Sequence, residues 1–162
     1  GLVRLMWFYV LGAAVVGADR FAKWFVLHHH HDGPLLGDVL RLTLTENAGA
    51  AFGMFAGARA VFVAVAAAAA VALAAANHVL PKGDPRRWWL ALLWGGNVGN
   101  LIDRVQSGRV VDFLDMGVGS RRWPVYNVAD VAIVAGAVGL GVLLWQQRRR
   151  TGPPGPAPSP PG

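Results

Sequence analysis

Four long apolar segments follow one another along the 162 residues of this chain, with polar segments between them. They cover residues 5–27, 60–80, 88–105 and 125–147, and each comes close to the roughly 20 residues that an α-helix needs to cross the hydrocarbon of a bilayer. Gly95 and Gly99 in the third segment have the spacing of small residues in closely packed membrane helices. The pattern predicts an all-α membrane protein, a four-transmembrane-helix bundle that forms one domain over residues 1–150.

The first apolar segment has two interpretations. Its uncharged part, residues 5–18, has the length of the apolar core of a signal peptide. No clear small-x-small cleavage site precedes a polar domain, and three more apolar segments follow, so we predict a retained transmembrane helix. Asp19 and Lys23 lie four positions apart, on one face of this helix. They either form an internal ion pair, which is the simpler interpretation, or wall a substrate groove.

Two polar segments predict a small β-rich cradle outside the cytoplasm. In the segment 33–55, the run from Leu40 to Thr45 alternates apolar and polar side chains, which is typical of a half-buried strand. Residues 108–115 also read as a short extended piece. The four histidines at 28–31 are interpreted as a polar interfacial loop, because adjacent side chains point in different directions and make a poor single metal site.

Charge indicates the class and the orientation of the protein. Hydrophobic residues make up 54% of the chain and charged ones 15%, which is typical of a small membrane protein. The net charge of +6 would suggest nucleic acid for a soluble chain, but the basic residues gather at the ends of apolar segments, where lipid headgroups lie. Arg4, residues 82–87 and residues 148–150 are the most basic short segments, so the positive-inside rule puts both termini in the cytoplasm. The Pro- and Gly-rich residues 151–162 then form a disordered cytoplasmic tail.

Candidate chemistry concentrates in residues 95–130, where ionisable groups lie beside apolar segments and are therefore functional candidates. There is no cysteine, no HExxH motif and no glycine-rich phosphate loop, so carboxylates remain. Two carboxyl groups close together share one proton; the ionised one can take a proton from water and the protonated one can donate to a peptide carbonyl. Four helices with cytoplasmic termini place Asp112 and Asp130 together at the outer face. Asp103 and Asp115 are explained equally well as partners of arginines.

Four motifs carry a resemblance to a known family. They read Asn47-Ala-Gly-Ala-Ala-Phe-Gly53, Gly95-Gly-Asn-Val-Gly-Asn-Leu-Ile-Asp-Arg104, Val110-Val-Asp-Phe113 and Tyr126-Asn-Val-Ala-Asp130. Each is weak alone, but in this order they resemble the motif set of lipoprotein signal peptidase (signal peptidase II, peptidase family A8) over about residues 5–146. Tyr126 stands where Phe is common, and the histidine run and the tail are not family features.

The resemblance implies an aspartyl endopeptidase of the bacterial inner membrane, a multi-pass protein with its active site at the outer face. It would cleave the signal peptide from prolipoproteins whose cysteine carries a diacylglyceryl group. It implies Asp112 and Asp130 as the catalytic pair, and Asp103 in a structural role. The implied substrate-binding residues are Asn47, Asn100, Arg104 and Asn127, with Asp19 and Lys23 beside them. We expect no metal and no cofactor, prolipoprotein substrates and membrane lipids as partners, no nucleic acid, and a monomer.

Two other classes stay open at this point. A small transporter or channel also uses intramembrane Asp and Arg, and it would lose flux on Asp112→Asn. A structural scaffold would pair its polar groups internally, and the same substitution would mainly change its stability. A peptidase would keep its fold and lose cleavage.

Overall fold

The apolar segments form long helices, and the polar segments between them form strands. The computed structural model describes residues 2–29, 32–48 and 58–150. In this part of the chain the elements are α1 (Leu2–His29), β1 (Gly33–Leu36), β2 (Leu40–Asn47), α2 (Ala58–Val79), α3 (Arg86–Gln106), β3 (Val110–Val118), β4 (Arg121–Arg122) and α4 (Val128–Arg150). The expectation of a mostly helical fold with a small β segment is confirmed.

The strands form one antiparallel sheet in the order β1-β2-β3-β4, over one end of the helices. Thr45 of β2 pairs with Asp112 of β3, and Asn47 pairs with Val110. Because paired residues and their second neighbours share a face of a sheet, this register puts Asn47 on the same face as Asp112. The motif residues 49–53, and the part of the predicted cradle beyond residue 48, lie outside the described residues.

Helix α3 is the centre of the helical part and packs against α1, α2 and α4. Its glycines permit this contact. A β-carbon on Gly95 would lie 2.7 Å from the carbonyl oxygen of Gly12 in α1, and one on Gly96 would collide with the backbone of α4. A β-carbon on Gly99 would lie 2.9 Å from Asp19 Oδ2. The close approach of α1 and α4 to α3 brings the polar ends of three helices together beneath the sheet.

By length and composition, two of these helices could cross a membrane: Arg59–Val79 and Val128–Arg150. α1 and α3 each carry four charged side chains, which lowers their mean hydropathy. Four of these charged residues pair with each other across the two helices: Asp19, Arg20, Lys23 and Asp103.

Two expectations from the sequence differ from the structure. α4 begins at Val128 and not at 125, because the backbone of Tyr126 bonds to Leu114 as part of the sheet. His28 and His29 form the last turn of α1 and not a loop, and each ring Nδ1 lies within hydrogen-bond distance of a carbonyl oxygen four residues earlier. His30 and His31 lie outside the described residues.

Candidate active site

Asp112 and Asp130 reach one site from different elements. Asp112 is in β3, and its side chain points away from solvent toward the helices, with 3% of the residue exposed. Asp130 is in the first turn of α4, where the helix dipole favours a negative charge. The sheet therefore supplies one carboxyl group and the helical bundle the other.

Asn127 connects the two carboxyl groups. Its Oδ1 accepts the backbone N–H of Asp130 at 2.9 Å, and Asp130 Oδ2 accepts the backbone N–H of Asn127 at 3.1 Å. This reciprocal pair is a capping box, which fixes the start of α4 and the direction of the Asp130 side chain. The Nδ2 of Asn127 donates to Asp112 Oδ1 at 2.8 Å. One buried residue thus starts the helix and contacts both carboxyl groups, that of Asp112 through its side-chain amide and that of Asp130 through its backbone N–H.

Asn100 of α3 hydrogen-bonds to both Asn127 and Asp130. Its Nδ2 donates to Asp130 Oδ1 at 2.8 Å, and its Oδ1 accepts from Asn127 Nδ2 at 3.0 Å. The same Oδ1 lies 3.3 Å from the Nζ of Lys23 in α1. Both oxygens of Asp130 therefore accept hydrogen bonds from N–H donors.

A buried charge cluster lies behind Asn100. Lys23 Nζ is 2.7 Å from Asp19 Oδ2 and 2.7 Å from Asp103 Oδ2. Asp19 Oδ1 accepts the N–H of Ala129 at 2.9 Å, which adds a second cap to α4. Asp103 also pairs with Arg20 and lies 3.3 Å from the backbone nitrogen of Val111 in β3. Asp103 thereby ties α1, α3 and β3 together, as its expected structural role requires.

Asp19 and Lys23 are 0% and 2% exposed, and their charged ends face each other and Asp103. Of the two interpretations of their spacing, the structure shows the ion pair. The expectation that they lie beside substrate stays a prediction, and their burial favours a role behind the site.

Two grooves meet at Asp130. The first, of about 280 Å³, lies between α2, α3 and α4 and contains the polar side chains of Asn97, Asn100 and Arg104. Arg104 places its guanidinium 5.9 Å from the centre of the Phe62 ring. Asn97 donates to the carbonyl oxygen of Ala66 at 2.8 Å, so it also joins α2 to α3.

The second groove is larger and almost entirely apolar. It has a volume of about 570 Å³ and is lined by Met116, Trp123, Tyr126, Asp130, Val131, Val134, Ala135 and Val138. Sequence reasoning did not single out its apolar residues. The spacing of Val131, Val134 and Val138 predicts a shared helix face, but the contribution of Met116 and Trp123 from the sheet follows only from the fold.

Electrostatics make the pair suited to proton transfer. Burial, and then the negative charge of Asp130, raise the pKa of Asp112 to about 6; hydrogen bonds from Asn47 and Asn127 and the positive charge of Lys23 act in the opposite direction. A carboxyl group that keeps its proton up to about pH 6 beside a second carboxyl group is a general acid next to a candidate general base. Asn47 reaches Asp112 as the strand register requires.

Known proteins similar to this chain share its architecture and length. A lipoprotein signal peptidase of Brevibacillus brevis is 39% identical over 86% of this chain and 93% of its own, and one of Moorella thermoacetica is 41% identical over 86% and 91%. Two solved structures, described as a bacterial membrane enzyme determined by the in meso method at 2.3 and 1.9 Å resolution, each match with a TM-score of 0.77. They are 26% and 25% identical and cover 86% and 87% of this chain and 88% and 94% of their own.

The family comparison covers most of the described chain. The family described as signal peptidase (SPase) II matches residues 11–146, which include every residue of the site described above. Together with relatives at 39% and 41% identity over most of both chains, this match shows that the chain belongs to the signal peptidase II family.

Proposed function

We propose that this chain removes signal peptides from prolipoproteins and that Asp112 and Asp130 perform the hydrolysis. Membership of the family makes the chain a membrane peptidase of the lipoprotein-processing class. The observation that carries the residue assignment is Asn127, which bonds to the carboxyl groups of both residues within one buried site. Asp115 of the same strand β3, by contrast, pairs with Arg122.

The reaction follows from one proton shared by two carboxyl groups. A water molecule between them gives a proton to the ionised carboxylate, and its oxygen bonds to the carbonyl carbon of the scissile peptide. The protonated carboxyl group gives its proton to the carbonyl oxygen. When the tetrahedral intermediate collapses, the C–N bond breaks and the proton taken from water passes to the leaving nitrogen. As the C=O bond re-forms, a hydroxyl group of the intermediate returns a proton to the other carboxylate, so each carboxyl group regains its starting protonation state.

The two grooves offer different surfaces to a lipid-modified substrate. The groove that holds Asn100 and Arg104 provides N–H donors for the carbonyl groups of an extended peptide near the scissile bond. The apolar groove beside Trp123 and Val134 fits the acyl chains of a diacylglyceryl cysteine. Asp130 borders both grooves. A substrate that fills both therefore brings the peptide bond between the signal peptide and the lipid-modified cysteine to the carboxyl pair. Asn47 and Asn127 both donate side-chain hydrogen bonds to Asp112 of this pair.

The placement of the site favours an enzyme that works at the outer surface of the bacterial inner membrane. We propose that all four helices cross the membrane, with both termini in the cytoplasm and the sheet outside. The charged groups of α1 support this, because Asp19 and Lys23 face the bundle interior and are paired, as intramembrane charges must be. Large apolar side chains such as Val65, Val71 and Val138 are exposed, as on a lipid-facing surface. The monomeric state stays a prediction.

Cleavage of a lipid-modified substrate tests the assignment. Purified protein in detergent is mixed with a diacylglyceryl-modified prolipoprotein, and the product is followed by its gel shift, with and without EDTA. We expect wild type to cleave in both conditions and Asp112→Asn and Asp130→Asn to be folded and inactive. Asp115→Asn is the matched control, because it removes a carboxylate from the same strand that bonds to Thr43 and Arg122, outside the site. Cleavage by either Asn variant of the pair at the wild-type rate, or none by folded wild type, would refute the proposal.

A further inference from the structure

Tyr126 adds a hydroxyl group to the wall of the apolar groove beside Asp130. Among the described residues that line this groove, only Trp123, Tyr126 and Asp130 carry oxygen or nitrogen in their side chains. The oxygens of Asp130 already accept hydrogen bonds from Asn100 and Asn127. The neutral donors of the groove wall are therefore the Tyr126 hydroxyl and the indole N–H of Trp123.

The backbone fixes where the Tyr126 ring lies. Its N–H donates to the carbonyl oxygen of Leu114 at 3.0 Å, and its own carbonyl oxygen accepts the N–H groups of Phe113 and Leu114 at 3.0 and 2.8 Å. The next residue is Asn127, which contacts both carboxyl groups of the candidate active site. The ring is thus held beside the carboxyl pair by bonds that do not involve its hydroxyl group.

The hydroxyl group itself has a weak partner. It lies 3.8 Å from the Sδ of Met116, and a thioether sulfur is a poor hydrogen-bond acceptor. A ligand oxygen that reached this point would replace the sulfur at little cost and would gain a stronger bond. Because Tyr126 stands where Phe is common in the motif, the hydroxyl group is the part of this side chain that calls for an explanation.

The lipid of a diacylglyceryl cysteine supplies a matching acceptor. Its two ester groups lie between the cysteine sulfur and the acyl chains, and an ester carbonyl oxygen can only accept hydrogen bonds. Such an oxygen loses its water when the chains enter an apolar groove, so it needs a donor there. No lysine or arginine is among the described residues that line the groove, which favours a neutral ester over a charged phosphate.

We propose that Tyr126 is a specificity-determining residue whose hydroxyl group donates a hydrogen bond to an ester carbonyl of the substrate lipid. The enzyme then distinguishes ester-linked acyl chains from ether-linked alkyl chains, which have the same length but no carbonyl group. This role rests on the proposed function, and it concerns recognition of the lipid and not the chemistry of the carboxyl pair.

Two substrates and one isosteric substitution test this role. The substrates are the same prolipoprotein with a diacyl ester lipid or with the dialkyl ether lipid of equal chain length, and KM is measured as mole fraction in mixed micelles. In Tyr126→Phe we expect KM for the diester to rise about fivefold, which is the effect of one neutral hydrogen bond. KM for the diether, and kcat for both substrates, should stay within about twofold. The decisive quantity is the change in the ratio of the two KM values.

Two control variants separate this effect from others. Tyr9→Phe removes the other tyrosine hydroxyl of the chain, which lies 3.0 Å from His78 Nε2 and outside the groove, and it should change neither KM. Val134→Ala shortens an apolar side chain of the same groove. It should raise both KM values by a similar factor and leave their ratio unchanged.

The outcomes distinguish the two proposals. Wild-type cleavage with inactive Asp112→Asn supports the function, whatever Tyr126→Phe does. A changed KM ratio in Tyr126→Phe, but not in Tyr9→Phe or Val134→Ala, supports recognition of the ester. An equal rise of both KM values would place the hydroxyl group at the peptide or in the packing of the groove, and unchanged KM values would show that it does not contact the lipid; either result overturns the inference.

Discussion

Substitution of Asn127 separates its two tasks, which are to cap α4 and to hold the carboxyl pair. Asn127→Ala removes both, whereas Asn127→Ser keeps a capping oxygen but is too short to repeat the 2.8 Å bond to Asp112 or the 3.0 Å bond to Asn100. Loss of a cap costs about 1 kcal/mol, whereas serine caps about as well as asparagine. For a chain of this length 1 kcal/mol corresponds to about 2–4 °C in Tm.

The cleavage rate should depend on the hydrogen bonds from Asn127 to Asp112 and Asn100, and not on the cap of α4. Both variants free the carboxyl groups to move apart, and misplacement of catalytic groups by about 1 Å can cost on the order of 100-fold in rate. We therefore expect 10- to 100-fold slower cleavage in Asn127→Ser and in Asn127→Ala. Only the alanine variant should also show the lower Tm.

The assay is the rate of prolipoprotein cleavage, measured beside thermal unfolding in the same detergent. Removal of the Asn127 hydrogen bond also raises the pKa of Asp112, so the remaining activity should extend to higher pH in both variants. Full cleavage by Asn127→Ser would show that the cap alone matters and would refute the bridging role.

Two further predictions concern the pKa of Asp112. Since that pKa is raised from 3.8 to about 6, the carboxyl group loses its proton above pH 6, and kcat should fall about tenfold per pH unit there as the acid is lost; a flat profile up to pH 9 would contradict the mechanism. The folded state binds this proton more tightly than the unfolded state, so the group costs stability as pH rises from about 4 to 6 and throughout the range above. The free energy of unfolding of Asp112→Asn should therefore exceed that of wild type at pH 8 by up to about 3 kcal/mol, which raises its Tm, and the two should have a similar Tm at pH 4; an equal or lower Tm at pH 8 would be the contrary result.

Local patterns determined much of the secondary structure. Apolar length predicted the helices, because an uninterrupted apolar segment of about 20 residues forms its backbone hydrogen bonds within itself. The alternation from Leu40 to Thr45 predicted the core of β2, which extends to Asn47. The pattern failed at the start of α4, where Tyr126 is as apolar as the helix that follows. Its backbone pairs with Leu114, which lies 12 residues earlier in the chain, and Asn127 starts the helix instead.

The sequence by itself determined the family, through the order and spacing of four motifs, and it named the residues from which a site could be built. It left open whether Asp19 and Lys23 form an ion pair or a groove wall. Only the tertiary structure decided this, and only it placed Asn100 between Lys23 and Asp130 and opened two grooves at Asp130. The physical reason is that helical periodicity fixes which residues share a face, while the rotation of one helix against another depends on contacts between distant segments. Here the approach of α1 and α4 to Gly95, Gly96 and Gly99 of α3 sets that rotation.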